Sequence, residues 1–492
     1  MAFLSLRISS ATDYTGVPEI CMAAREFFAS LNEVTGLAPL KAPEFLHDDP
    51  IVPTPFRVGA AAASAVGLEA AAVGEIWRLR GGAQQDIRVD LRAAAASLVS
   101  FSLLRLDGQP VPRPSEFKPT VGLYSTMDGR WIHLHGGFAH LERRTLDLLN
   151  AENTKESVAA SVARWNASAL EDALAYMNQC GAVVRTEEEW RAHPQGLALC
   201  DVPPIRLVRI GDAPLLPLKE AKQPLDGIRV LDLTRVLAGP TTGRTLASHG
   251  ADVLSVRAEA LATIDLFDLD TGHGKRSAFL DLSKPREAEA LRTLARTAHV
   301  FVDSYRPGAL AELGFSPAAL SHLSPGIIYV SISCYGARGP WAKRRGWEQL
   351  AQSATGIAME QGAFAAARAG ERRDTVPHLI PVAACDYITG YLAAAGAAAA
   401  LLKRMHEGGS WLVEVSLCAT AMWLQSLGKI PFGDVPANWK PHEGLDGYFQ
   451  SCETGRGWLD FLGPAVRMEK TPPGWRKPPP EPGEDSPRWL ER

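Results

Sequence analysis

Residues 228–256 read IRVLDLTRVLAGPTTGRTLASHGADVLSV, and their punctuation decides the fold. Ile228 to Leu233 is a short, mostly apolar run of strand length. Ala238-Gly239-Pro240 turns the chain into a helix that reaches about His249, and Gly250 stops it. Asp252 to Val256 supplies a second strand. The alternation continues with a strand at 277–282, a helix at 285–298, a strand at 300–302, a helix at 308–321 and a strand at 327–332. Strands joined through single helices pair in parallel, so the expected fold class is α/β with a Rossmann-like doubly wound parallel sheet. No GxGxxG follows the first strand, so a nicotinamide-binding reading lacks its motif.

Upstream of this region the texture is α+β. Gly122 to Leu134 reads as a hairpin turning on Asp128-Gly129. Mixed helical sequence follows from about Arg143 to Glu189, with strand-like Ala182-Val183-Val184 inside it and Ile205 to Ile210 beyond. Pro203, Pro204, Pro214, Pro217 and Pro224 mark the exit. The expected organisation is an N-terminal extension with a helix–strand unit (1–110), a smaller α+β domain (111–224), the large domain (225–430) and a Pro-rich arm (431–492) lying loosely on other surfaces.

Two passages resemble each other. Residues 57–91, RVGAAAASAVGLEAAAVGEIWRLRGGAQQDIRVDL, and 384–417, ACDYITGYLAAAGAAAALLKRMHEGGSWLVEVSL, both give an Ala-rich helix, a basic last turn, a Gly-Gly stop and a short strand. Aligned with one gap after Gly-Gly, Gly59 stands opposite Asp386, which makes the first passage a degenerate copy without the carboxylate, expected to be inert. Asp386 sits at the start of the second helix. It is open to two readings there, an N-cap or a carboxylate kept ionised by the helix N-terminus for covalent chemistry.

Composition narrows the function. The chain has 492 residues, 46% apolar and 22% charged, with net charge −4 and dispersed Lys and Arg. That balance gives no basic footprint for nucleic acid or a membrane surface. Seven cysteines without metal-ligand spacing point to reduced thiols, a cytoplasmic location and no metal. Met1 to Arg7 lacks a signal-peptide core. The Ala-rich runs, interrupted by Glu69 and Glu75 or preceded by Asp386, are not expected to span a membrane.

Residues 224–417 resemble the family III CoA-transferases (the CaiB/BaiF family). The carrying residues are PLDGIRVLDLTRVLAGP at 224–240, Gly250-Ala251-Asp252-Val253, Gly274-Lys275-Arg276-Ser277, Leu280-Asp281-Leu282 and Tyr305-Arg306-Pro307-Gly308-Ala309-Leu310. Leu313-Gly314-Phe315, Gly336, Gly339-Pro340, Gly346-Trp347-Glu348, Asp386, Thr389-Gly390 and Gly408-Gly409 follow in order. Residues 117–210 look like the same family's small domain, here placed ahead of the large one. The resemblance implies acyl-CoA and carboxylic acid substrates, no metal, and a homodimer, interlocked in other members.

Residue by residue, the resemblance makes Asp386 the nucleophile and gives Glu348 an orienting role, against an ordinary helix-start glutamate. Val236, Leu237 and Ala238 would line the loop where CoA enters, with Leu237 standing where some members carry glutamine. Tyr305 matches an aromatic beside the nucleotide, and Ser304 replaces an asparagine. Arg345, Lys275 and Arg276 are candidate phosphate contacts, while Arg306 buttresses the Pro307-Gly308 turn. Glu312 replaces a common arginine. The histidine of the family's racemases falls at Trp347, which disfavours that chemistry. The expected function is CoA transfer through an aspartyl anhydride and an aspartyl-CoA thioester. The alternatives are a racemase-like or other acyl-CoA enzyme using Asp386 as a base, and a non-catalytic CoA-binding protein. The segment 357–380 gives no charge preference that would name the acids.

Overall fold

A computed structural model describes residues 22–112, 118–370 and 376–491. Its largest sheet has seven strands: β1 (Arg206–Gly211), β2 (Arg229–Leu233), β3 (Asp252–Arg257), β4 (Lys275–Phe279), β5 (Val300–Asp303), β6 (Ile328–Ser333) and β7 (Ser410–Ser416). They lie in the order β4-β3-β2-β5-β6-β7-β1. All neighbours are parallel except β1, which runs antiparallel to β7. The central strands are apolar on both faces, as helices covering both sides require, so Val230, Leu231, Val300, Phe301, Ile328 and Val330 are all buried. The protein is thus a mixed α/β molecule built on a large parallel-strand sheet. Strand order reverses between β2 and β5, which opens a crevice at their carboxyl ends.

Three elements differ from the sequence reading. Arg206–Gly211, grouped in sequence with the smaller domain, pairs with β7 and completes the large sheet, because its partner strand would otherwise be an open edge. The helix expected over 308–321 breaks into Ala309–Glu312 and Pro317–Leu323. Gly314, at φ 86°, ends the first piece, and Ser316 starts the second by accepting from the Ala319 N–H. The C-terminal arm is not loose. Phe449–Thr454 and Gly457–Leu462 form a hairpin that continues onto Arg105–Leu106, and Val466–Met468 pairs with Ile87–Asp90. These strands use the unpaired edges left by the N-terminal region, which explains their order despite many prolines.

Four helices position the site: α1 (Val58–Leu79), α2 (Ala238–Ser248), α3 (Glu348–Thr355) and α4 (Ala384–Glu407). Helices α1 and α4 pack lengthwise against each other, their alanines allowing a close approach. Both are long and apolar enough to cross a membrane, yet the protein itself encloses them. Each leads into a strand and then a further helix, Leu91–Ser97 or Leu417–Ser426. In both cases the last strand residue caps that helix, Asp90 from the Arg92 N–H and Ser416 from the Ala419 N–H. The basic last turn of α1 is followed by Arg80, whose guanidinium donates to the carbonyls of Lys219, Pro224 and Asp226 and ties the helix to the start of the large domain.

The smaller unit carries an antiparallel sheet of Val121–Ser125, Trp131–His135 and Gly181–Val183. Its hairpin closes where expected, with Gly129 at φ 71° and the Thr126 N–H on the Arg130 carbonyl. Its own core gathers Tyr124, Ile132, Leu134, Val158 and Leu170. The unit rests on α3: His133 Nδ1 lies 2.8 Å from Ser353 Oγ, and the Arg185 N–H donates to the Ser353 carbonyl.

Candidate active site

The crevice between β2 and β5 is lined by the loops that leave those strands. Residues 234–237 lead from β2 into α2, and residues 304–308 follow β5. The Arg235 N–H reaches Ser304 Oγ at 3.4 Å, joining the two loops. Val236 has φ 74°. That is left-handed backbone for a β-branched residue, a strain on the order of 1–3 kcal/mol held by the surrounding fold. Leu237 and Ala238 are buried beneath it, while Ser304 and Tyr305 are half-buried at the mouth.

Helix α4 brings Asp386 to this loop. A Cβ on Gly390 would stand 2.6 Å from the Ala238 carbonyl, so only glycine allows the first turns of α2 and α4 to meet. Thr242 Oγ1 seals the contact by donating to the Gly390 carbonyl at 3.1 Å. Asp386 is the third residue of α4, whose N-cap is Ala383, so its side chain is not the cap. The expectation that the helix keeps it ionised is overturned. Burial first, and the nearby Glu348 carboxylate second, push Asp386 well above the ordinary carboxylate range. The helix field, about 1 kcal/mol, is too small to offset both.

Glu348 is itself buried, not the exposed helix-start glutamate of the alternative reading, and burial raises it to about 7. Its Oε1 accepts from Gln352 Nε2 at 2.6 Å and from the Cys385 N–H at 3.4 Å. Gln352 is fixed in turn, its Oε1 accepting from the Ile380 N–H at 3.0 Å. Glu348 is thereby held against the residue that precedes Asp386. Two buried carboxyl groups raised in this way retain a proton near neutral pH.

The model of CoA-transferase family III matches residues 225–428, the segment that carries the crevice and both carboxylates. This segment belongs to CoA-transferase family III. The chain is 32% identical over 329 residues to acetyl-coenzyme A transferase nodX of Hypoxylon pulicicidum, covering 62% of this chain and 54% of that one. It is 28% identical over 453 residues to an acyl-CoA transferase of Gibberella moniliformis, covering 84% and 79%. A crystal structure of a CaiB/BaiF family protein from Brucella suis aligns at 26% identity over 48% of this chain and 65% of that one, with a TM-score of 0.37. The chain spans about half the length of the first of these relatives.

Within the family III segment the structure brings together Asp386, Glu348, Val236, Leu237, Ala238, Ser304 and Tyr305, with Arg345 half-buried three residues ahead of Glu348. It sets Lys275 and Arg276 apart. Lys275 lies level with Val230, toward the start of the strands and away from the crevice loops. Its ammonium is buried on Asp232 at 2.7 Å and on the Pro240 carbonyl at 2.7 Å. Arg276 is bound to Asp252 and to the Arg488 carbonyl beneath the C-terminal arm. Both cations are committed to the interior, so neither is a phosphate contact.

Sequence reasoning missed His135, whose ring stacks on Trp347 at 4.2 Å, and Gln352. The Glu348–Gln352 spacing of four residues is legible as one helix face; the His135 contact crosses between units and is not. The first Ala-rich helix also holds a surprise. Asp49, from the preceding loop, accepts from the Ala60 N–H at 2.8 Å, so a carboxylate does occupy its N-terminus.

Proposed function

We propose that this protein moves CoA between an acyl-CoA donor and a carboxylic acid acceptor, with Asp386 as covalent nucleophile. The observation that carries the reading is that buried Glu348 is held on the Cys385 N–H, beside Asp386, where α4 meets α2 over the crevice of a Rossmann-like sheet. A proton passes from Asp386 to Glu348. An Asp386 oxygen attacks the donor thioester carbonyl, the C–S bond breaks and CoA leaves as thiolate, giving an aspartyl–acyl anhydride. The thiolate then attacks the aspartyl carbonyl, releasing the donor acid and forming an aspartyl-CoA thioester. The acceptor carboxylate attacks that thioester, and the released thiolate attacks the acceptor acyl carbonyl, which frees Asp386 and the new acyl-CoA. Two activated carbonyl exchanges conserve the thioester bond, provided water is excluded from buried Asp386.

Val236, Leu237, Ala238, Ser304 and Tyr305 would border the CoA, and the smaller unit would cover the acyl group through His135, stacked on Trp347 of the large domain. We read 1–110, 111–224, 225–430 and 431–492 as the functional divisions, with Arg206–Gly211 donated to the large sheet. A cytoplasmic location fits the free cysteines at 180, 200, 334, 385, 418 and 452, and a homodimer fits the family resemblance. The test is transfer between labelled acyl-CoA and a panel of acids, with hydroxylamine trapping of the enzyme thioester. The expected adduct is on Asp386. Transfer by Asp386→Ala at the native rate would sink the reading.

A further inference from the structure

We infer that this single chain holds two strand-exchanged halves, paired as the two sides of a two-fold interface are paired, and that its active site is assembled between them within one chain. The nucleophile comes from one half and the cover from the other. Only the role of Asp386 is taken from the transfer reading above; the internal pairing rests on strand pairs and side-chain contacts.

The likeness of the two Ala-rich passages continues well beyond their strands. After α1 come a strand (Ile87–Asp90), a helix (Leu91–Ser97), a hairpin (Val121–Ser125 with Trp131–His135) and β1. After α4 come β7, a helix (Leu417–Ser426), a hairpin (Phe449–Thr454 with Gly457–Leu462) and the strand Val466–Met468. The two hairpins share one register. Trp131 stands opposite Ser125 and Trp458 opposite Glu453, and four more pairs follow in each, ending on Val121–His135 and Phe449–Leu462. Both turns carry Gly-Arg ahead of that tryptophan, as Gly129-Arg130-Trp131 and Gly455-Arg456-Gly457-Trp458. The last strand of each half then crosses to the other. Strand β1 runs antiparallel to β7, and Val466–Met468 runs antiparallel to Ile87–Asp90. Shared composition makes two helices look alike, but it does not make each half donate the corresponding strand to the corresponding place in the other. Reciprocal contact of this kind is the mark of a two-fold interface, and here both sides belong to one chain.

What the halves carry is complementary. Residues 136–205 of the first form the body of the smaller unit, where the second has only residues 463–465 between its hairpin and its exchanged strand. The second carries Asp386, where the first has Ala60. The hairpin ends also cross. The His135 ring stacks on Trp347 at 4.2 Å, Phe138 packs on Trp347 at 5.2 Å, and a Cβ on Gly137 would stand 3.7 Å from the Trp347 edge, next to Glu348. The corresponding Leu462, Gly463 and Pro464 line a cavity with Val66 and Glu69 of α1. Each hairpin therefore lies against the opposite half, and one of those halves holds the nucleophile. A second chain is not needed to build the site, and a dimer of this protein would hold two sites, each complete within its own chain.

The experiment places cysteines at Arg88 and Arg467, exposed residues that face each other across one exchanged pair. Directly opposed residues on antiparallel strands are close enough for a disulfide. Oxidation of the full-length Arg88→Cys/Arg467→Cys protein by copper–phenanthroline in air is expected to join positions 88 and 467 at the mass of one chain, read by non-reducing electrophoresis and peptide mapping. A covalent dimer through that bridge, or no bridge, would overturn the internal exchange whether or not the protein transfers CoA. The second arm co-expresses Asp386→Ala with Gly137→Leu, which pushes the first hairpin off Trp347; His135→Ala/Phe138→Ala takes its place if Gly137→Leu does not fold. Assembly within one chain predicts that the mixture transfers no more CoA than the two variants made separately. Transfer restored to about a quarter of the native rate, as sites shared between chains would give, would overturn it. A bridge within one chain, in a native protein that transfers no CoA to any acid, would support the internal pairing and sink the transfer reading.

Discussion

Helices α1 and α4 begin in the same way and end in different chemistry. Their N-cap residues, Arg57 at φ −80°, ψ 57° and Ala383 at φ −81°, ψ 57°, have matching backbones, and neither cap uses a side chain. Counting from those caps, Ala60 stands where Asp386 stands, one residue from the Gly59 pairing that sequence alignment gives. In α1 the carboxylate arrives from outside: Asp49 accepts from the Ala60 N–H, and Gly59 leaves room, since its Cβ would lie 2.5 Å from Asp49 Oδ1. In α4 the carboxylate belongs to the helix, receives no such bond and faces Glu348 instead. A carboxylate that accepts a helix N–H is spent on folding. One denied that bond, buried and set beside a second acid, is available for reaction.

Removing each carboxylate in turn is the most severe test of this contrast. Asp386→Ala is expected to cut turnover by at least about 10³-fold, since in the proposed mechanism Asp386 alone carries the covalent intermediate. A drop of less than tenfold in steady-state transfer would break the contrast at its strongest point.

The pH dependence sharpens it. With Asp386 pushed well up and Glu348 at about 7, kcat/KM should rise with pH along a limb lying above the ordinary carboxylate range. Glu348→Gln takes away the second cause of the Asp386 shift, so the limb should move to lower pH even though activity falls. A limb that stays in place would show that the two acids do not communicate. Stability should respond in the opposite sense to a salt-bridged carboxylate. The folded value of Glu348, about 7 against an ordinary 4.5, lies above the unfolded one. Its contribution is therefore full below about 4.5 and lost as pH rises through about 7. Glu348→Gln is expected to be more stable than the native protein by about 2 kcal/mol at pH 8, and to show little gain at pH 4, in denaturant melts.

Gly390→Ala probes the contact that brings the crevice loop to Asp386. The new methyl would meet the Ala238 carbonyl at 2.6 Å and Thr241 Cβ at 2.7 Å. Overpacking of this kind costs about 1–3 kcal/mol, and it should also raise KM for the acyl-CoA by moving Val236–Ala238 outward. Normal stability with normal KM would mean that the α2–α4 approach is not what sets the loop.

Strand and helix alternation, and the Ala-rich passages, were legible because they are local: Val230, Val253 and Val300 sit in strands whose apolar character reports burial on both faces. The position of Asp386 was legible for the same reason, as the start of a helix. Its ionisation was not, because that depends on Glu348, 38 positions earlier, and on burial by other elements. Lys275 and Arg276 misled in the same way. A basic pair in sequence carries no sign of whether Asp232, Asp252 or a C-terminal arm will claim it. Pairing of the arm with residues 87–106 is long-range, and its prolines hide strands that run only three to six residues.

Asp49 offers the gentlest test, and one whose sign changes with the replacement. Its carboxyl end is buried, and that burial raises it to about 6 despite the Ala60 N–H, so ionisation costs stability above that pH. Asp49→Ala removes the acceptor and leaves the N-terminus of α1 unsatisfied, for a loss of about 1 kcal/mol. Asp49→Asn keeps an acceptor without the charge, so at pH 8 it should lose less than the alanine variant. Neither should change transfer by more than about twofold, since Asp49 acts on α1 alone. Should Asp49→Ala abolish transfer in protein that melts normally, α1 would have to be counted as part of the reacting site, and the division between the two helices would fail.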